Sequence, residues 1–265
     1  MTKTALFVSL ALMATLGSCV IAGLEYPGGY SPVEEFHQYI PFEPAGNLAL
    51  VNFDGNIEIA GWDRKEVEIY AERYVEFPSR RQVQFLWENK FVPQVNVEQN
   101  EDYLKISTHA PSPAGALVDY FINVPYSIQI EDIIAREGRV FLSGLYGSVR
   151  VELAAGDVEV ENFSGSLTAL VTRGSIKAAL YDLRTEDEVV LNCREGNVTL
   201  FLQEGVHASV YAEAPNGRIS DEFQLERANG SFMDTRIGEG GAVIRVTVLN
   251  GDIHINRISS DLNDE

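Results

Sequence analysis

The residues of this chain best suited to chemistry are acidic. Glu152, Glu159 and Glu161 lie close together in the sequence, and Arg150 and Lys177 are nearby cations. A pair of carboxylates is the minimum machinery for cleaving a glycosidic bond, since one acts as an acid and the other as a base or nucleophile. Alternating charges are also typical of the solvent-facing side of a strand. A polysaccharide-active enzyme is therefore the alternative to a non-catalytic protein.

Two further sets of residues could supply a nucleophile. Cys193 lies in an alternating apolar segment, which predicts a small buried side chain and not a reactive thiol. Ser209, His207 and Asp221 provide the residue types of a hydrolase triad. No nucleophile-elbow motif surrounds Ser209. We therefore predict no catalytic residue, and we expect the protein not to be an enzyme.

Metal binding was considered because the repeats of the chain contain aspartates. Asp157 and Asp252 each follow a single glycine, whereas a calcium-binding repeat requires Gly-Gly-x-Gly-x-Asp. An acidic cluster is predicted to be a solvated loop; it consists of Asp182, Glu186, Asp187 and Glu188. The four histidines show no metal-ligand spacing; they are His37, His109, His207 and His254. We therefore predict no metal site and no cofactor, and we expect His254 to point outward from its strand.

The amino terminus carries the one chemical modification that the sequence predicts. An apolar run over 5–16 follows Lys3, and it has the length of a secretory signal but is too short to cross a bilayer as a helix. The run ends in Leu16-Gly17-Ser18-Cys19, which resembles a bacterial lipobox, and this resemblance implies that Cys19 receives a diacylglycerol thioether. An ordinary signal peptide is the alternative. Lipidation of Cys19 would leave Cys193 as a free thiol and would make the membrane a partner through the acyl chains.

The charge of the chain excludes one class of partner. Lys and Arg total 20 against 39 Asp and Glu, which gives a net charge of −19. Nucleic-acid binding requires a basic face that releases counterions from the phosphates. We therefore expect no nucleic-acid partner, whereas a protein or glycan ligand of unknown identity is compatible with this charge.

A glycine period indicates how the chain is built. Glycines recur every nine residues between 138 and 174, and each starts a short alternating apolar unit; they are Gly138, Gly147, Gly156, Gly165 and Gly174. Such a unit is too small to fold alone and has to stack on copies of itself. The sequence predicts an all-β fold, a β-solenoid built as a single-stranded β-helix-like stack of short Gly-x-Val-x-Val strands. Consecutive units are expected on opposite sides of a coil, with every second glycine stacked at a corner. An antiparallel meander is the alternative.

The alternation within the units predicts which side chains face inward. The inward set is apolar and consists of Val149, Val151, Val158, Val160, Leu167 and Ile176. The outward set is polar and consists of Arg150, Glu159, Thr168 and Lys177.

The pattern divides the chain into five segments. We predict a lipoprotein signal peptide over 1–18, a lipid anchor and tether over 19–44, and an amino-terminal β-repeat part over 45–115. The β-solenoid array follows over 116–258, and 259–265 is an acidic tail. Apolar residues at helical spacing additionally predict one short helical insertion near 79–90, within the amino-terminal part.

A family resemblance rests on these units. Asp54-Gly55-Asn56-Ile57-Glu58-Ile59-Ala60-Gly61-Trp62-Asp63, the later Val124-Pro125 and the repeated Gly-x-Val-x-Val units resemble the bacterial putative-adhesin family of β-strand repeat proteins. The likeness covers about 47–258 and includes no catalytic motif. It implies a β-repeat fold on a protein that is often a lipoprotein or otherwise tethered to a membrane.

These observations lead to one functional expectation and two alternatives. We expect a lipid-anchored β-solenoid of the bacterial cell envelope that acts as a non-catalytic binding, adhesion-like or structural module. Val20, which follows Cys19, is not the aspartate that resembles an inner-membrane retention signal, so the outer membrane or the cell surface is favoured. The alternatives are the polysaccharide-active β-helix enzyme and a self-assembling envelope scaffold that stacks end to end.

The lipid anchor can be tested directly. If Cys19 is lipidated, the protein should partition into the detergent phase of a Triton X-114 extraction and should incorporate labelled palmitate. The Cys19→Ala variant should lose both properties and keep its β-sheet circular dichroism spectrum. Recovery of the wild-type protein as an unlabelled soluble species, beginning at another residue, would refute the anchor.

Overall fold

The fold was described from a computed structural model, which covers residues 30–76, 92–110, 115–225 and 230–258. The predicted signal peptide, Cys19, the helix near 79–90 and the acidic tail lie outside the described residues. The described residues form nineteen strands and no helix. Within them, no helix is long and apolar enough to cross a membrane. The all-β prediction is therefore confirmed for this part of the chain.

The strands form two walls, which we call wall A and wall B. Wall A contains β1 (Tyr30–Pro41), β3 (Ile57–Trp62), β4 (Glu66–Glu76), β7 (Ala116–Pro125), β9 (Val140–Ser143), the first part of β11 (Val158–Arg173), β12 (Ile176–Leu180), β14 (Val198–Leu202), β16 (Ile219–Asp221) and β19 (Ile253–Arg257). Wall B contains β2 (Asn47–Val51), β5 (Gln94–Gln99), β6 (Tyr103–His109), β8 (Gln129–Glu137), β10 (Tyr146–Ala155), the second part of β11, β13 (Glu188–Glu195), β15 (Ala208–Glu213), β17 (Phe232–Ile237) and β18 (Ala242–Asn250).

Each coil has one strand in wall B followed by one strand in wall A. Coils stack in parallel, so that Val149 of β10 lies beside Leu167 of β11, and Val158 of β11 lies beside Ile176 of β12. The prediction that consecutive units lie on opposite walls is confirmed, and the antiparallel meander is wrong for these coils. Each coil therefore has two strands, one in each wall, because one nine-residue unit crosses only one wall.

The order of the coils differs from the order of the chain at both ends of the stack. The coil of β6 and β7 lies outside the coil of β2 and β3, and the coil of β15 and β16 lies outside that of β18 and β19. Antiparallel strands complete the ends of the walls. These are β5 on wall B and β4 and β1 on wall A at one end, and β17 on wall B at the other.

Strand β1 lies in the segment that the sequence assigned to the tether over 19–44. Tyr30–Pro41 pairs antiparallel with β4 along its length, with one register shift between Pro32 and Glu34. The sequence predicted a tether here partly because of the prolines in this segment, since proline cannot donate a backbone hydrogen bond to a neighbouring strand. Among the described residues β1 pairs with β4 alone, and proline is tolerated at the edge of a sheet.

A column of stacked glycines marks the corner between wall B and wall A. At each of these positions a β-carbon would overlap a backbone carbonyl oxygen of the adjacent coil; in axial order they are Gly55, Gly138, Gly156, Gly174, Gly196, Gly251 and Gly217. Gly156 also has a φ of +125°, a conformation that side chains other than glycine rarely adopt. Gly147 and Gly165 stack at the opposite corner. The predicted stacking of every second glycine is therefore confirmed.

The interior between the walls is apolar. The six predicted inward side chains, from Val149 to Ile176, are all at most 2% exposed. The outward Arg150, Glu159, Thr168 and Lys177 are half-buried or exposed. Both sets were therefore predicted correctly. The register is fixed because a shift by one residue would turn the whole apolar set of a strand toward water.

The glycine column provides a stability test. Gly156→Ala should lower the free energy of unfolding by at least about 3 kcal/mol, because the methyl group meets the backbone of Gly138 and the positive φ is strained. Gly230→Ala is the matched control, since no atom lies within 4 Å of its β-carbon position, and it should change stability by less than about 0.5 kcal/mol. Denaturant unfolding monitored by circular dichroism measures both. Equal midpoints for the two variants would show that the column does not limit the packing of the coils.

Candidate binding surface

Aromatic side chains are concentrated on the outer face of one end of wall A. Tyr70 of β4 lies directly opposite His37 of β1 on one side and Phe121 of β7 on the other. Tyr39 is the next outward-facing residue of β1 after His37. We call these four residues the aromatic row. Ring centroids are 5.7 Å apart between His37 and Tyr70 and 5.9 Å apart between Tyr70 and Phe121. Tyr39 is 52% exposed and Phe121 is 39% exposed, so the row presents ring surface to solvent.

Glu68 holds part of this row in place. It lies beside Tyr39 on β1 and beside Asn123 on β7. His37 Nε2 and Asn123 Nδ2 are each 2.9 Å from its carboxylate. Hydrogen bonds from Tyr39, Asn123 and His37 lower the pKa of Glu68 to about 2. Glu68 is therefore ionised at neutral pH, and its charge orients two of the exposed rings.

Glu72 performs a similar role for the next tyrosine. The Tyr70 hydroxyl donates to Glu72 Oε1 at 3.0 Å, and the Tyr74 hydroxyl donates to Glu72 Oε2 at 2.5 Å. Burial and the bond to Glu72 raise the pKa of Tyr70, so its hydroxyl remains a donor at neutral pH. Carboxylates thus fix the orientation of both tyrosines of the aromatic row.

A second aromatic group lies around the ends of β3 and β7. The Arg64 guanidinium stacks 4.5 Å from the centroid of the Trp62 ring. The Tyr126 hydroxyl donates to Asp63 Oδ1 at 3.2 Å. The Tyr126 and Tyr146 rings meet edge to face, with centroids 5.8 Å apart. Tyr146 is 53% exposed. Tyr126 and Tyr146 are exposed, and Trp62 and Tyr126 each contact a charged side chain, but these rings are not part of the cross-strand row.

The carboxylates singled out for glycosidic chemistry do not form one patch. Glu152 and Arg150 lie on wall B, where they pair with each other. Glu159 and Glu161 lie on wall A. Lys177 Nζ is 2.7 Å from Glu159 and 3.6 Å from Glu161. The hydrogen bond from Lys177 lowers the pKa of Glu159, assisted by Arg139. A general acid needs a raised pKa, so Glu159 is poorly suited to that role.

The candidate nucleophiles are likewise not activated. Cys193 is fully buried and free, as predicted, and its thiol lies 3.1 Å from the carbonyl oxygen of Gly174. Burial raises the pKa of the Cys193 thiol. Ser209 lies on wall B and Asp221 on wall A, so the triad is split between the walls.

The triad histidine and aspartate have structural hydrogen bonds. His207 Nδ1 accepts from the backbone of Glu239 at 3.0 Å. Asp221 accepts from the backbone of Leu225 at 2.9 Å. His254 is half-buried on the outer face of wall A, between buried isoleucines, and its Nδ1 lies 2.7 Å from the Ser220 hydroxyl. The outward position predicted for His254 is therefore confirmed.

The repeat aspartates form a ladder beside the glycine column. Asp157 accepts from the backbone N–H of Ser175 at 2.8 Å, and Asp252 accepts from that of Arg218 at 2.8 Å. Asp119 is 5% exposed and accepts from the backbone of Asn56 at 2.6 Å. Burial raises the pKa of Asp119. These side chains join successive coils. Within the described ranges, no group of three or more His, Cys, Asp or Glu could hold a metal ion.

The acidic loop differs from its prediction at one residue. Asp182, Glu186 and Glu188 are exposed, but Asp187 is only 9% exposed. Asp187 Oδ2 accepts from the backbone N–H of Arg184 at 2.7 Å, which closes the turn before β13. The loop borders an open depression of about 550 Å³, whose lining includes Leu183, His207 and Glu239.

The aromatic row was not identified from the sequence. Its signal was nevertheless present, because Tyr70 and Phe121 occupy the outward phase of their strands, where polar residues predominate elsewhere. Strand pairing brings them beside His37 and Tyr39, which the sequence assigned to a tether. Large aromatic residues at outward-facing strand positions were therefore the sequence feature that could have predicted the aromatic row.

Residues 126–256 match the family described as Toastrack DUF4097. This match confirms the family resemblance predicted from the β-strand repeats, over that part of the chain. A search of curated proteins found no match.

Several solved structures align with most of this chain at low sequence identity. A putative cell adhesion protein from Clostridium sporogenes is 13% identical, with a TM-score of 0.46, over 86% of this chain and 100% of that one. A putative adhesin from Bacteroides fragilis is 14% identical, with a TM-score of 0.31, over 85% of this chain and 97% of that one. A putative lipid binding protein from Parabacteroides distasonis is 10% identical, with a TM-score of 0.21, over 85% of this chain and 97% of that one.

The ionised Glu68 predicts a pH dependence of stability. Its folded-state pKa of about 2 lies below the ordinary value of 4.5, so its contribution is present above about pH 4.5 and is lost as the pH falls toward 2. Glu68→Gln should therefore lower the melting temperature at pH 7, and the difference from wild type should shrink over that window. Glu131→Gln, at an exposed position on β8, is the control and should track wild type throughout. If the melting temperature of Glu68→Gln lies below that of wild type by the same amount at every pH, the charge of Glu68 does not stabilise the fold.

Proposed function

We propose, on the premise that residues 126–256 match the Toastrack DUF4097 family, that this protein is a non-catalytic binding module of the bacterial cell envelope. Its lipid anchor is Cys19, and its ligand is a protein or a glycan that binds to the outer face of the stack. The observation that carries the proposal is the aromatic row, in which exposed rings are oriented by carboxylates.

Exposed rings that are held in place favour recognition. A mobile surface tyrosine loses rotamer freedom when a ligand covers it, and that loss weakens binding. Tyr39 and Tyr70 have already lost this freedom through Glu68 and Glu72. Rigid amphipathic rings provide a large contact area at low entropic cost. The row therefore has the properties of a preformed contact surface.

The arrangement of the acidic residues weighs against the enzyme alternative. A glycosidase needs two carboxylates facing one substrate, one of them with a raised pKa. Here Glu152 and Glu159 are on different walls, and the pKa of Glu159 is lowered. The role of the paired charges is to solvate the outer faces and to link neighbouring strands.

The ends of the stack weigh against the self-assembling scaffold. End-to-end growth requires open parallel edges on both walls. Among the described residues, wall B ends in the antiparallel strands β5 and β17, and wall A carries antiparallel β4 and β1 at one end. These strands interrupt the parallel register that a second copy would have to continue.

The place of the anchor fits a surface module. Strand β1 begins at Tyr30, eleven residues after Cys19. A short connection of this kind would hold the stack close to the membrane while leaving its walls free for a ligand. The residue after Cys19 favours the outer membrane or the cell surface, as the sequence predicts.

The proposal predicts binding without turnover. The full chain carrying Cys19→Ala should cosediment with isolated bacterial envelopes and should release no reducing ends or unsaturated sugars from envelope polysaccharides. Phe121→Lys, which places a charged flexible chain on the outer face, should weaken cosedimentation. Thr199→Lys, at an outward position near the other end of wall A, is the matched control and should not. Glycan cleavage that is lost in Glu152→Gln, Glu159→Gln or Glu161→Gln would favour the enzyme.

A further inference from the structure

The aromatic row runs along the axis of the stack, across adjacent strands. His37, Tyr70 and Phe121 lie on three neighbouring strands, and the same outward line continues through Glu58 to Phe141. Adjacent strands are spaced by about 4.8 Å. A sugar unit in an extended glycan has a similar length, so a glycan along this line would place about one sugar ring over each strand. The planes of His37 and Tyr70 are 87° apart and those of Tyr70 and Phe121 are 41° apart, so successive sugars would meet ring faces and ring edges in turn.

The chemistry between the rings matches hydroxyl groups. Glu68 and Glu72 place carboxylate oxygens among the rings, and Asn123 adds a side-chain amide. A carboxylate accepts hydrogen bonds from sugar hydroxyls, an amide both donates and accepts them, and the C–H faces of a pyranose ring pack on an aromatic face. The row therefore offers hydrogen-bond acceptors for sugar hydroxyls and exposed aromatic surface for the C–H groups of a sugar ring.

The ionised centre of the surface disfavours a dry protein interface. Charged residues are depleted from the cores of such interfaces, and desolvating a carboxylate such as Glu68 is unfavourable without a compensating partner. A hydrated, hydroxyl-rich ligand leaves the hydrogen bonds of Glu68 intact and adds new ones. This difference favours a glycan over a protein.

The local charge restricts the kind of glycan. Glu58, Glu68 and Glu72 lie among the rings. The nearby cations already have partners: His37 is bonded to Glu68, Arg139 is paired with Glu159, and Arg64, which lies near Tyr39, is paired with Glu66. An acidic polysaccharide would be repelled by these carboxylates. We propose that the aromatic row of wall A binds an extended glycan without acidic groups, an inference that rests on the binding function proposed above.

The test uses the full chain carrying Cys19→Ala, titrated with cellohexaose, N-acetylated chitohexaose and mannohexaose in isothermal titration calorimetry. We expect at least one of these neutral hexasaccharides to bind, and the galacturonate hexamer not to bind. Phe121→Ala and Tyr39→Ala should each raise Kd at least about fivefold, since Phe121 lies on the line that the glycan follows and Tyr39 is the exposed ring beside His37 that the glycan also covers. Tyr146→Ala removes an equally exposed ring outside the row and should leave Kd within twofold.

The remaining outcomes separate this inference from the general function. Absence of binding to all three neutral hexasaccharides, or binding that Phe121→Ala and Tyr39→Ala leave unchanged in folded protein, would overturn it. Binding of polylysine that Phe121→Ala weakens, without any oligosaccharide binding, would overturn it in favour of a basic protein partner. In each case, cosedimentation with envelopes that Phe121→Lys weakens would still support the proposed binding function.

Discussion

The structure depends on the close approach of neighbouring coils at the glycine corner. A β-carbon at Gly138, Gly156 or Gly174 would overlap a carbonyl oxygen of the adjacent coil, so only glycine allows the strands to reach hydrogen-bonding distance there. The residues that follow reinforce the contact, because Asp157 accepts a hydrogen bond from the backbone of Ser175 in the next coil. The corner therefore fixes the coil spacing, and the inward phase of every following strand depends on that spacing.

Because the glycine corners and the apolar interior hold the stack together, the outward-facing residues can vary without disrupting the fold. Along one outward line of wall A, the residues change from aromatic, at Tyr70 and Phe121, to ion-paired, at Glu159 and Lys177. Strands β4 and β7 pair antiparallel, whereas β11 and β12 pair parallel. Both arrangements turn these side chains outward, so the strand pairing itself does not require aromatic residues at Tyr70 and Phe121. A rigid stack with a specialised stretch of surface is suited to binding, since the ligand contacts are preformed.

The candidate chemistry of the chain is accounted for by structure. Cys193 fills the interior, Asp252 and Asp119 connect coils, and the acidic residues around Lys177 form ion pairs on an outer face. Each of these side chains packs against, bonds to or pairs with a neighbour in the stack. The aromatic row differs from these groups, because its rings are exposed and its tyrosines are oriented by carboxylates.

The sequence by itself determined the local structure. The apolar alternation predicts the strands and which of their side chains face inward, and the glycine period predicts that successive glycines lie at opposite corners of a coil. Both patterns are local properties of the chain. The order of the coils and the place of β1 were decided by tertiary structure. Strand β6 stacks outside β2, and Tyr39 meets Glu68, through pairings between distant segments that no local pattern encodes. The aromatic row belongs to this second class, because residues from three separated strands form it only after the walls have assembled.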